Sequence, residues 1–198
     1  MQRTAYVVLS VLLVSSVANA QERGRAAGPA SAPVTLASAL QASWSQVKGY
    51  VNSTAKDIPE DAIAYKPGYN RRSFGEVWGH LADDRFRNCA AARGVASPNK
   101  VNLQQTVKTK ADVLKAIADS EAFCDAAFAA LTDASFVEIV TPITALEGPD
   151  GTAARPRGAI LAALIAHDSI QYGYGVVYLH TLVPFSEPEG RGRGGPGR

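Results

Sequence analysis

Four stretches between residues 35 and 184 repeat their apolar side chains every three or four positions, and this periodicity constrains the fold more than any other feature. In the first, Leu36, Leu40, Trp44, Val47 and Val51 fall on one stripe, with Thr35 as the cap and Pro59 as the stop. The second opens on Ser73-Phe74-Gly75-Glu76, a capping box in which the Ser and Glu side chains satisfy amides that the first turn leaves unbonded. A helix over 74–93 is predicted there. The third follows Thr109, with Asp112 three residues on, and places Val113, Ile117, Cys124, Phe128 and Leu131 on one face. The fourth starts near Pro156, a residue suited to the first helical position, and stops before Pro184. Its face is Ile160, Leu164, His167, Gln171, Tyr174 and Tyr178. Gly173 and Gly175 each cost up to about 1 kcal/mol there relative to Ala, which points to close helix packing or a polar site. Residues 136–141 (FVEIVT) could form a strand, but no partner is evident and they are read as irregular. Four long helices without a convincing strand pair predict an all-α four-helix bundle.

The ends of the chain have a different character. Arg3, the apolar residues 5–17 and Ala18-Asn19-Ala20 form the charged, apolar and small-x-small parts of an export signal over 1–20. Its apolar part is too short for a membrane span, which needs roughly 20 residues. Residues 21–34 read as a flexible leader and 35–185 as the bundle. Residues 186–198 (SEPEGRGRGGPGR) carry no large apolar side chain and read as a disordered tail. The expectation is an exported protein, periplasmic or secreted, with no stable membrane insertion once the signal is removed. The chain has 20 Lys+Arg against 18 Asp+Glu, a balance with no field to steer a polyanion, so nucleic acid is excluded as a partner.

Polar residues on the core-facing stripes carry the chemistry. In the second helix, Asp84 and Asn88 follow Val77 and Leu81, with His80 beside them. In the fourth, His167 and Gln171 are four apart and project from one face. If His80 meets them, two imidazoles and an amide oxygen surround one point, a set suited to Zn, Ni, Cu or Fe that lacks a third strong donor. Asp84, one turn from His80, reads as an ordinary helix carboxylate or as a substitute ligand completing a two-His-one-carboxylate set. Asp83 and Asp168 sit about 100° round their helices from the histidines and are expected in solvent or behind the ligands. His180, near the end of the fourth helix, is expected to face solvent or complement the helix dipole.

The stretch Arg72-Ser73-Phe74-Gly75-Glu76-Val77-Trp78-Gly79-His80 resembles the second-helix motif of the DinB-like superfamily, in which Ser-x-Gly-Glu precedes a metal-binding His by four residues. His167-Asp168-Ser169-Ile170-Gln171-Tyr172-Gly173 is similar to the family's fourth-helix pattern, His-x-x-x-His-x-Gly. The resemblance extends over about 36–184. It implies a four-helix bundle, in many members with an up-down-down-up order, and a three-His site for a divalent metal such as Zn or Ni. His80 and His167 match the first two ligands, and Gln171 stands where the family has its third. Relatives include thiol-dependent transferases, a thiol-dependent isomerase and metal-dependent hydrolases. The family order would also place Cys89 and Cys124 at one end of the bundle, where export permits a disulfide; two buried free thiols are the alternative.

Two functional readings follow. In one, a divalent metal (Zn, Ni or Fe) held by His80, His167 and Gln171, with Asp84 as substitute ligand or base, supports hydrolysis. In the other, the chain is a metal-free small-molecule-binding or structural bundle, homodimeric through its exposed apolar faces. Neither substrate nor catalytic residue is named by the sequence.

Overall fold

The computed structural model describes residues 34–148 and 150–182. The export signal over 1–20, the leader up to residue 33 and the tail over 186–198 lie outside the described residues. Among the described residues no helix is long and apolar enough to cross a membrane.

Local chemistry sets the helix starts. Thr35, Ser73 and Thr109 each cap a helix through a reciprocal box with Ser38, Glu76 and Asp112, opening α1 (Leu36–Asp57), α2 (Phe74–Arg93) and, after a single-turn α3 (Leu103–Thr106), α4 (Lys110–Ala129). A second single turn, α5 (Asp133–Phe136), leads to β1 (Ile139–Val140), which pairs antiparallel with β2 (Arg155–Pro156). The irregular reading of 136–141 is therefore corrected. The partner was hidden because Arg155–Pro156 carries no apolar alternation, and the pairing lasts only two residues. The last helix, α6 (Arg157–Leu182), begins one residue after the expected Pro156, where the Arg157 amide donates to the Glu138 carbonyl at 2.8 Å.

Packing places α1, α4, α2 and α6 in that order around a four-helix ring. Their directions follow from residue pairs that meet. Trp44 of α1 stacks on Phe128 of α4, while Asn52, further along α1, bonds Glu121, earlier in α4, so these helices are antiparallel. The Cys89–Cys124 disulfide joins equivalent depths of α2 and α4, which run parallel. The Tyr178 hydroxyl donates to the Arg72 carbonyl at the far end of α6 from His167, so α6 is antiparallel to α2. The order is up-down-down-up.

Close approach of α6 to α2 depends on Gly175, where a Cβ would overlap the Trp78 ring; no neighbour crowds Gly173. Gly79 plays the same part for α3, since a Cβ there would meet the Leu103 carbonyl. Tyr174, expected on the buried face, is exposed, because the buried stripe of α6 runs through Gln171, Gly175 and Tyr178 and leaves Tyr174 about 100° to one side.

The core falls into two apolar clusters. One gathers Phe74, Trp78, Val51, Ile58 and Ile117; the other gathers Trp44, Phe128, Leu161, Leu164 and the disulfide. On α2 the boundary lies between Ala82 and Cys89, and on α6 between Leu164 and Tyr178. His80 lies two residues before the first interval, while Asp84, Arg85, His167, Asp168 and Gln171 lie inside the two intervals, so a polar layer crosses the bundle near this level.

Candidate metal centre

The seam between α2 and α6 carries four polar side chains that converge. His80 and Asp84 are one turn apart on α2, and His167 and Gln171 are one turn apart on α6; helical periodicity directs each pair into the seam. His80 Nε2 and His167 Nε2 are 3.1 Å apart. Asp84 Oδ2 lies 3.0 Å from His167 Nε2 and 3.9 Å from His80 Nε2, and the Gln171 amide nitrogen lies 3.1 Å from His167 Nε2. All four residues that the sequence singled out are thus together, with His80, Asp84 and Gln171 buried and His167 partly open.

Two further side chains complete the cluster. Glu147, from the loop between β1 and β2, sets Oε1 3.5 Å from His80 Nδ1, and its side chain is 54% exposed. It is held there by Leu146, which is buried and donates its amide to the Gly151 carbonyl at 2.9 Å. Arg87 Nη2 bonds Asp84 Oδ1 and reaches Glu147 Oε1 at 3.1 Å. His80, Asp84, Glu147 and His167 form a group able to hold a metal ion, each offering an atom within 4.8 Å of the others. Sequence reasoning missed Glu147, which lies in an aperiodic turn. Arg87 had a signal, its position three residues after Asp84 on one helix face.

Electrostatics divides the two histidines. Burial lowers the His80 pKa, outweighing the pull of Asp84. Burial also opposes the charge on His167, but the hydrogen bond and charge of Asp84, with Asp168 and Glu147 behind, more than offset it and raise its pKa. Asp84 is itself lowered, because His167 and Arg87 together outweigh burial. The two imidazoles are thus pushed apart, burial disfavouring the charge on His80 while Asp84 favours it on His167.

Asp83 and Asp168, expected in solvent or behind the ligands, are both buried. Asp168 is fully buried and pairs with the fully buried Arg85 at 2.7 Å, and it lies directly behind His167 with Oδ1 3.9 Å from His167 Nδ1. Asp83 accepts from the Leu103 and Gln104 amides and from Asn99, capping α3 from outside that helix. Neither lies in solvent, because each answers a donor brought in by tertiary packing. His180 is exposed in the last turn of α6.

The donor set fits a divalent cation. Ligand bonds of about 2.0–2.2 Å separate neighbouring donors by roughly 3 to 3.5 Å, close to the 3.0–3.9 Å spacing of His80 Nε2, His167 Nε2 and Asp84 Oδ2. Arg87 occupies Asp84 Oδ1 and leaves Oδ2 facing the histidines, while Glu147 stands behind His80 Nδ1, the outer carboxylate that metal-ligating histidines commonly have. Gln171 Oε1 is buried without a hydrogen-bond partner, and a half-turn of the amide would bring it to the cluster.

Comparison with known proteins agrees with this architecture. The family model described as DinB superfamily matches residues 39–174. Among solved structures, a DinB-like protein from Bacillus cereus has a TM-score of 0.60 at 12% identity, covering 72% of this chain and 90% of its own. A DinB-like protein from Bacillus subtilis has a TM-score of 0.58 at 18% identity, covering 76% and 96%. A conserved protein from Enterococcus faecalis has a TM-score of 0.57 at 11% identity, covering 75% and 97%. No curated protein matches the chain.

Proposed function

Because the chain belongs to the DinB superfamily, we propose that it is a divalent-metal-dependent hydrolase whose cation is held by His80, His167 and Asp84, with the Gln171 amide beside them where relatives have a third His. The observation that carries this reading is the convergence of two imidazole nitrogens and one carboxylate oxygen at ligand spacing in a largely buried seam. Zn, Ni and Fe(II) all suit two imidazoles and a carboxylate. Bound there, the cation supplies Lewis acidity for attack of water on a substrate carbonyl or phosphoryl centre.

The chain's own residues divide the remaining work. Asp84 is pinned by Arg87 on Oδ1, which leaves Oδ2 for the cation, so it holds position rather than exchanging protons. Glu147, half exposed at the mouth, is the carboxylate placed to trade protons with solvent. The expected result is about one equivalent of metal in the purified full chain, lost in His80→Ala, and hydrolysis that requires both. Export to an oxidising compartment is part of the proposal and is supported by the Cys89–Cys124 disulfide; the N-terminus of the processed chain, read by mass spectrometry, tests it.

One observation favours the metal-free alternative. Without a cation His167 Nε2 can donate to Asp84 Oδ2 at 3.0 Å, a pair that holds the two helices together by itself. A folded natural chain that binds no metal while Gln171→His does would establish that reading.

A further inference from the structure

Beside the cluster lies a pocket of about 310 Å³ in which Arg87, Lys100, Ser97, Asn102, Thr144 and Asp83 are among the lining residues. Arg87 is the one side chain that this pocket shares with the cluster. Asp83, the pocket's only acid, is already spent: one of its oxygens accepts from Asn99 and the Leu103 amide, and the other from the Gln104 amide. Lys100 has no carboxylate partner among the described residues. Arg87 uses Nη2 on Asp84 and Glu147, and its Nε is buried with no hydrogen-bond partner. The pocket is therefore lined by Lys100, which has no carboxylate partner among the described residues, and by Arg87, whose Nη2 holds Asp84 and Glu147, beside hydroxyl and amide groups and the hydrogen-bonded Asp83 carboxylate. A size at the low end of ligand sites suits a small molecule rather than a peptide.

We propose that this pocket is an oxyanion subsite, so that the substrate is a small molecule bearing a phosphate or carboxylate gripped by Arg87 and Lys100 while its scissile bond lies at the cluster. Calling it a substrate subsite rests on the metal-hydrolase reading; the anion binding itself does not. Guanidinium suits the role, since it stays charged and carries several donors, so one group can hold carboxylates through Nη2 and meet an oxyanion from elsewhere. The same group ties the two sites together: whatever holds the anion on Arg87 is within one side chain of Asp84.

The test is titration of the ¹⁵N-labelled full chain with inorganic phosphate, followed by amide chemical shifts. Saturable shifts at Ser97, Asn99 and Thr144 are expected, with an apparent Kd about fivefold or more weaker in Lys100→Gln and in Arg87→Gln. Lys100 is exposed and makes no ion pair, so its variant keeps the test valid should Arg87→Gln disturb the fold. Shifts that do not saturate, or a Kd unchanged in both variants, overturn the proposal. Metal content measured on the same natural chain separates the two readings. Saturable phosphate binding in a chain that purifies without metal leaves the anion site standing while the missing metal ends the hydrolase reading, whereas a metal-loaded chain blind to phosphate does the reverse.

Discussion

Asp84 and Arg85 are neighbours on α2, and His167 and Asp168 are neighbours on α6, yet the two pairs formed across the seam are opposites. Arg85 and Asp168 are both 0% exposed, pair at 2.7 Å and are sealed further by the Trp44 ring, 4.9 Å from the guanidinium. Asp84 and His167 meet at 3.0 Å in a cluster that opens through His167, 22% exposed, and Glu147, 54% exposed. One step along each helix turns the side chain by about 100°, which carries it from the bundle interior to the mouth. The difference teaches that charge inside a bundle does two jobs. Sealed and paired, as in Arg85 and Asp168, it ties two helices together; opened toward solvent, as at His167 and Glu147, it makes a group able to hold a metal ion.

The sharpest way to break the comparison is to remove half of the sealed pair. Arg85→Ala or Asp168→Ala leaves an uncompensated buried charge and should cost about 3 to 5 kcal/mol of stability in urea unfolding. Arg85→Met with Asp168→Leu should recover most of that while weakening metal binding, because the lock is gone and the packing remains. Reducing the Cys89–Cys124 disulfide comes next. Its separation of 35 residues predicts a loss of about 3 to 4 kcal/mol. Since the bond joins α2 to α4 and not to α6, metal content should not change. Gly175→Ala pries α6 from Trp78 and should cost about 1 to 3 kcal/mol while lowering metal occupancy.

The smallest effect is read at one imidazole. The raised pKa of His167 stabilises the fold fully below the unfolded value near 6.5, and that contribution is lost as pH rises through the folded pKa. Asp84→Asn removes the charge and hydrogen bond that do most to raise it and leaves Asp168 and Glu147 against burial, so the His167 titration, followed by NMR, should move to lower pH. For the same reason metal affinity in the natural chain should climb as pH rises through the His167 pKa, since cation and proton compete for that nitrogen.

What was legible in the sequence was local. The boxes at Ser73–Glu76 and Thr109–Asp112 place helix starts because both partners lie within one turn. His80, Asp84, His167 and Gln171 could be grouped because helical spacing aligns each pair and the family resemblance joins the two helices. The rest depended on distant partners. Asp168 finds Arg85 across 83 residues, and Glu147 finds Arg87 across 60, so neither the lock nor the mouth left a periodic trace. Asp83 was expected in solvent or behind the ligands, and its capping of α3 went unseen because α3 is a single turn with no apolar pattern of its own. Tyr174 was placed on the buried face because the true member of that stripe, Gly175, has no side chain to register in an apolar count.

The central claim is that the open half of the polar layer is a metal site held in register by the sealed half. Its most direct test is metal content by mass spectrometry of the full chain purified without a histidine tag, alongside His80→Ala. The account predicts about one equivalent of a divalent transition metal in the natural chain and none in a folded variant; a folded natural chain without metal, or a variant that keeps it, would contradict the account.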